Sequence, residues 1–202
     1  MAGDNGNEEL RIGVYVCHCG SNIAGVIDPK AVAEYAMTLP GVVHATDTLY
    51  ACADSGQNLI KQDIKEYNLN RVVVAACSVR MHELTFRAAV SEAGLNPFLM
   101  EMANIREQCT WAHGHDPAGA LEKAKDLTAA AVAKAAFLTP LEMMKVPVTK
   151  RAMVVGGGVA GISAALDLGA QGIETILVEK QPTLGGTMAQ LNKTFPTMDC
   201  SI

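Results

Sequence analysis

Met153-Val154-Val155-Gly156-Gly157-Gly158-Val159-Ala160-Gly161 decides how the chain is read. An apolar run from Ala152 to Val155 breaks into three glycines and then into Ile162-Ser163-Ala164-Ala165-Leu166. That order spells a buried parallel strand, a tight turn and a helix. Gly156, Gly158 and Gly161 fill the pattern G-x-G-x-x-G, in which one glycine allows the turn, one lets backbone approach a pyrophosphate, and one lets helix and strand pack closely. The opening turn of such a helix offers unpaired N–H groups and a positive dipole end to phosphates. A second β-rich run, Glu174 to Val178, ends at Glu179-Lys180, and Glu179 stands twenty-three positions beyond Gly156. An acidic side chain at that distance accepts hydrogen bonds from an adenosine ribose. Gly185-Gly186 follow, spaced for a further backbone approach to a dinucleotide.

Composition narrows the class. Half of the 202 residues are hydrophobic and 18% are charged, enough for a sizeable core. The net charge of −5, with no basic run, argues against nucleic acid as a partner. No apolar stretch approaches the roughly eighteen residues that a membrane span needs. Met1 to Leu10 is polar and acidic, without the apolar centre of a signal peptide, so a cytoplasmic protein is expected. Six cysteines in that compartment are not expected to form disulfides.

Upstream of the glycine loop, strand and helix patterns alternate four times. Strands are expected over residues 11–16, 42–51, 72–76 and 97–102, and helices over 29–39, 55–67, 81–93 and 117–137. The expected fold class is α/β: a small doubly wound parallel sheet over residues 1–140, a linker over 141–149, and the first βαβ half of a Rossmann-type domain over 150–202. Two strands do not complete such a domain, so a fragment or one piece of a split protein is expected.

Cys17, Cys52 and Cys77 each fall at or just past the carboxyl end of an expected strand, with Cys19 beside the first and Cys109 after the fourth. In an open parallel sheet those ends gather on one edge, where ligands bind. An iron–sulfur cluster takes four thiolates, and four of these five can supply them. The C-x₂-C-x₂-C run of a ferredoxin is absent, as are the paired knuckles of zinc sites and the C-x-x-C of redox thiols. Cluster, other metal or redox thiol, and plain core residue therefore all stay open from spacing alone. His18, His82 and His113 neighbour the cysteines, whereas His44 reads as an ordinary strand residue. Arg80, Arg106 and Trp111 flank them too, the arginines being either solvated or able to offset the charge of a thiolate-bound cluster.

On Val14 to Ile23 (VYVCHCGSNI), Ala75 to Glu83 (AACSVRMHE), Asn104 to His113 (NIREQCTWAH), the glycine loop, and Leu184 to Ser201 (LGGTMAQLNKTFPTMDCS), the chain resembles the A subunit of the heterodisulfide reductase family, iron–sulfur flavoproteins of methanogens and sulfate reducers. The resemblance implies FAD rather than NAD at the loop, a [4Fe-4S] cluster in the first domain, and Cys200 opening a separate cluster motif. It implies an oxidoreductase acting within a complex, passing electrons between FAD and clusters, with flavin-based bifurcation as the finer expectation. B- and C-type subunits are the implied partners, with hydrogenase or ferredoxin-type donors. The alternative is a non-enzymatic metal-binding or subunit-docking piece. Related sequences carry selenocysteine where the next cysteine of the motif after Cys200 is due, so a chain cut after Ile202 at a misread codon, inactive by itself, is expected.

Overall fold

Arg71–Ala76 (β3), apolar without a break from Val72 to Ala76, lies inside a four-stranded sheet, because a strand covered on both faces has no polar side to show. It pairs in parallel with Ile12–Cys17 (β1) on one side and Met100–Asn104 (β4) on the other. Val42–Thr48 (β2) adds to the far side of β1, giving the order β2-β1-β3-β4 with every pair parallel. A computed structural model of the chain describes residues 9–200. The reading of a codon beyond Ile202 thus falls outside the described residues.

Side chains alternate along the strands and divide the core in two. Ile12, Val14, Val16, Val73 and Ala75 face one layer, made by Pro29–Ala36 (α2) and Pro117–Ala135 (α5), to which the single turn Ser21–Ala24 (α1) adds Ile23. Tyr15, Cys17, Val72, Val74 and Ala76 face the other, made by Asp54–Glu66 (α3) and Val79–Glu92 (α4). The helices start where local chemistry demands it. The Asp28 carboxylate accepts from the Lys30 N–H at 3.0 Å ahead of Pro29, and the Asp116 carboxylate accepts from the Gly119 N–H at 3.0 Å ahead of Pro117. This is the doubly wound α/β arrangement expected from the sequence.

Two strand ends differ from expectation. β4 begins at Met100 rather than Pro97, because Asn96 folds the chain into a turn, its side chain accepting from the Phe98 N–H and its carbonyl from the Leu99 N–H. β2 stops at Thr48, so Cys52 sits in the loop before α3 rather than on the strand end.

The chain divides into two compact units, Met1–Glu142 and Met143–Ile202. In the second, Arg151–Val155 (β5), Val159–Ala170 (α6) and Glu174–Val178 (β6) form one βαβ unit with the two strands parallel. Its described residues bury only Gly157, and Met153 and Val155 stand largely open on its strand. Two short antiparallel segments, Lys193–Thr194 and Asp199–Cys200, follow.

Candidate functional site

In the second unit the three motif glycines have different surroundings. Gly156 has φ +108°, a conformation side chains rarely adopt, and so turns the chain out of β5. A Cβ on Gly161 would overlap the Gly156 carbonyl oxygen, so that glycine allows α6 to sit against the turn. Gly158 has φ −76°, open to any residue, and a Cβ there would meet nothing within 4 Å. Neither backbone nor packing demands glycine at 158; what glycine preserves is open space in front of α6. Among the described residues no side chain caps α6, which leaves its first N–H groups available to an anion.

Glu179 closes the loop from β6. One of its oxygens accepts from the Gly157 N–H at 2.6 Å and the other from the Gln181 N–H at 2.8 Å. Those N–H donors, Gln181 first, hold its carboxyl below the ordinary glutamate range. Lys180 is exposed beside it. Gly185 donates its N–H to the Gly157 carbonyl at 2.7 Å and bridges to Gly158, so the Gly185-Gly186 turn lies along the glycine loop. Val159, Ile162, Ser163, Leu184, Gly185, Met188 and Ala189 line a cavity of about 300 Å³ here. Open space, free N–H donors and a carboxylate are a fitting cradle for a dinucleotide.

In the first unit, sheet order selects among the cysteines. The chain leaves β1 towards β2 on one side and returns to β3 on the other, so the crevice outside β1 and β3 is the switch point where ligands bind in such sheets. Cys17 ends β1 and Cys77 follows β3, both buried. Beyond Cys17, Cys19 (φ +50°) and Gly20 (φ +57°) are both left-handed, which folds the Cys-His-Cys-Gly turn back over the edge. The loop before α3 brings up Cys52, and the Ala51 N–H points at the Cys17 Sγ, 3.4 Å away. Burial pushes the Cys17 thiol up against the pull of the Ala51 and Cys19 N–H groups, with Cys19 and Cys52 adding repulsion. Burial pushes Cys77 up to about 11; Arg106 opposes this, and Cys19, Glu107 and Cys17 reinforce it. Cys17 thus has Cys19 and Cys52 within electrostatic reach, and Cys77 has Cys19 and Cys17, which links the four thiols.

Cys109 is not among them. It lies in a wide turn, Arg106–Thr110, in which the Thr110 N–H bonds to the Ile105 carbonyl and the Trp111 N–H to the Arg106 carbonyl. In an α-helix residues 106 and 109 would share a face; in this i→i+5 turn they diverge. Cys109 is fully buried against α5, its Sγ donating to the Ala120 carbonyl at 3.0 Å. Burial pushes its thiol up, opposed by Lys123 alone. Of the five candidates, four of which are expected from the sequence to supply ligands, Cys109 is the one turned into the core. Cys200 is exposed in the second unit.

The remaining residues sort by contact. Arg106 turns to the edge and donates to the Cys19 Sγ at 3.0 Å, whereas Arg80 is exposed. His18 pairs with Asp47 at 2.6 Å, His44 pairs with Asp63 at 3.1 Å and stacks on Tyr67, His82 meets Phe86 edge-on, and His113 meets Lys123. The sequence reading missed Asp47, which anchors the turn between Cys17 and Cys19, and Glu107, which accepts from the Ser78 N–H at 2.9 Å and pairs with Arg106. A carboxylate within a half-buried strand was the available signal for Asp47.

Among the described residues, no group of three or more His, Cys, Asp or Glu side chains is placed to hold a single metal ion. One ion draws its sulfurs to about 2.3 Å of itself. A [4Fe-4S] cluster takes its four cysteine sulfurs on separate irons and so spreads them more widely. A set of four thiols beside a buried guanidinium suits that anionic group in its chemistry.

Residues 152–198 match the family model described as FAD dependent oxidoreductase. Over 195 residues, 96% of its length, the chain is 67% identical to the second iron–sulfur A subunit of the CoB–CoM heterodisulfide reductase of Methanopyrus kandleri, covering 30% of that protein. It is 62% identical over 195 residues to the A subunit of the H(2):CoB-CoM heterodisulfide,ferredoxin reductase of Methanothermobacter marburgensis, 96% of the chain and 30% of the relative. It is also 58% identical over 194 residues to a heterodisulfide reductase A-like protein of Archaeoglobus profundus, 96% of the chain and 28% of the relative. The chain therefore spans about 30% of the length of the relatives it matches. No helix among the described residues is long and apolar enough to cross a membrane.

Proposed function

As a member of the family of heterodisulfide reductase A subunits that spans about 30% of its relatives' length, the chain is, we propose, part of an electron-transfer iron–sulfur flavoprotein. In this reading Cys17, Cys19, Cys52 and Cys77 hold a [4Fe-4S] cluster. Gly156, Gly158, Gly161, Glu179, Lys180, Gly185 and Gly186 take FAD, and Cys200 belongs to a further cluster motif. When bound, a flavin exchanges one or two electrons and an iron–sulfur cluster one. The observation that carries the reading is the meeting of four thiols at the switch point of a parallel sheet, with the fifth turned into the core.

The chain's own groups have definable tasks there. Gly158 keeps the space in front of α6 open, and the N–H groups of α6 counter phosphate charge. Glu179 is held ionised by two backbone donors and retains lone pairs for ribose hydroxyls. Cys17 and Cys77, whose burial favours the protonated thiol in the metal-free protein, would give up those protons as ligands of a cluster. His18, tied to Asp47, and the left-handed Cys19 fix the turn that completes the set.

The domain assignment proposed is a cluster-bearing domain over residues 1–140, a linker over 141–149 and part of a flavin domain over 150–202. The partners proposed are the B- and C-type subunits of a reductase complex, with hydrogenase or ferredoxin-type donors, and bifurcation at the flavin. Six free cysteines agree with a reducing, cytoplasmic setting. A second reading, a docking piece without redox chemistry, draws on the near absence of buried residues in the second unit. Iron and acid-labile sulfide measured after anaerobic reconstitution separate the two. Roughly four irons per chain at the first unit, with broad visible absorption that bleaches on reduction, supports electron transfer. A chain that folds and takes up no iron supports the docking piece.

A further inference from the structure

Among the described residues Arg106 is the one guanidinium that touches a thiol of the edge, and it is held there from several sides. Its Nη1 donates to the Cys19 Sγ at 3.0 Å and its Nη2 to the Met81 Sδ at 2.9 Å. Glu107 accepts from Nη2 at 2.7 Å, and the indole of Trp111 covers the guanidinium at 4.6 Å. The side chain is only 10% exposed. Burial works against its charge, but the bonds to Glu107 and Cys19 outweigh burial and raise its pKa, so the cation persists throughout the working range. Glu107 is in turn held ionised by Arg106, against its own burial, and receives the Ser78 N–H at the start of α4. A solvated surface arginine needs none of this.

We propose that Arg106 is a positioning and tuning residue for the cluster site, its fixed charge on the Cys19 sulfur raising the reduction potential of the group the four cysteines hold. The inference rests on the proposed cluster and specifies what sets its potential. One-electron reduction adds a negative charge to an already anionic site. A cation in contact with one ligand sulfur stabilises that extra charge, and a buried cation does so with little screening. Glu107 tempers the effect, because it lends a negative charge to the same guanidinium.

The test is the midpoint potential, by spectroelectrochemistry, of the whole chain reconstituted anaerobically with iron and sulfide, with iron content measured alongside. Arg106→Gln should lower the potential while iron stays at the parent level. Arg106→Lys, which keeps the charge and loses the planar fork, should fall between the two. Glu107→Gln, which still accepts the Ser78 N–H, should move the potential the other way, upward. An unchanged potential in Arg106→Gln with full iron overturns the tuning role and leaves the cluster assignment standing. A parent chain without iron overturns both. Should Arg106→Gln fail to retain iron, Glu107→Gln decides alone: a raised potential supports the role and an unchanged one overturns it.

Discussion

Gly56→Ala sets two ordinary expectations against each other. Gly56 lies in the first turn of α3, where alanine improves helix propensity by about 1 kcal/mol. Against that, a Cβ at residue 56 would stand 2.6 Å from the Ala51 Cα and 2.7 Å from the Ala51 carbonyl oxygen, and would overlap the Tyr50 carbonyl oxygen. All three atoms are backbone, in the loop that presents Cys52. That loop cannot slide freely, because the Ala53 N–H bonds to the Tyr50 carbonyl at 3.1 Å and the Gln57 amide to the Cys52 carbonyl at 2.8 Å. Overpacking of this kind costs about 1–3 kcal/mol, and clashes with backbone belong near the upper end. The steric term wins, leaving a net loss of roughly 1–2 kcal/mol. Trp111, the sole tryptophan, lies in the first unit, so its fluorescence reports unfolding there. The urea midpoint should fall by roughly 0.5–1 M, and iron uptake should weaken because Cys52 and the Ala51 N–H shift together. A midpoint equal to or above that of the parent would refute the reasoning.

Other expectations follow from the same geometry. In protein that carries flavin before the substitution, Gly158→Val should abolish its retention, since the new side chain enters space that no protein atom fills; a folded variant with stoichiometric flavin would remove the loop from the flavin site. In the metal-free chain the Cys77 thiol titrates near 11 when folded, above the ordinary thiol value of about 8.5. Stability from this group is complete below the unfolded value and is lost as pH rises towards 11, so the urea midpoint should decline across that window and Cys77→Ala should flatten the decline. Asp28→Ala should cost the α2 cap about 1 kcal/mol without affecting iron uptake; loss of iron would mean that α2 bears on the edge in a way its position does not explain.

Much of this was legible in the sequence because it depends on local order. Unbroken Val72 to Ala76 reads as a doubly covered strand, and Asp28-Pro29 and Asp116-Pro117 read as helix starts. The glycine loop states its own turn. What the sequence hid is set by geometry between distant segments. That Cys17 and Cys77 are neighbours follows from the strand order β2-β1-β3-β4, which no single segment encodes. That Cys109 faces α5 while Arg106 faces Cys19 follows from one wide helical turn, which an α-helical phase misplaces. Cys52 was displaced for a smaller reason, because β2 ends at Thr48 and a loop covers the remaining distance.

The central claim is that Cys17, Cys19, Cys52 and Cys77 form one metallocentre and that Cys109 is a core residue. Iron and sulfide content of the five single Cys→Ser variants, reconstituted anaerobically side by side, tests it most directly. Cys109→Ser can still donate to the Ala120 carbonyl and should keep the parent's iron, while at least three of the other four should lose it or retain a degraded cluster. Loss of iron in Cys109→Ser equal to that in the others, or full iron in all five, would contradict the account.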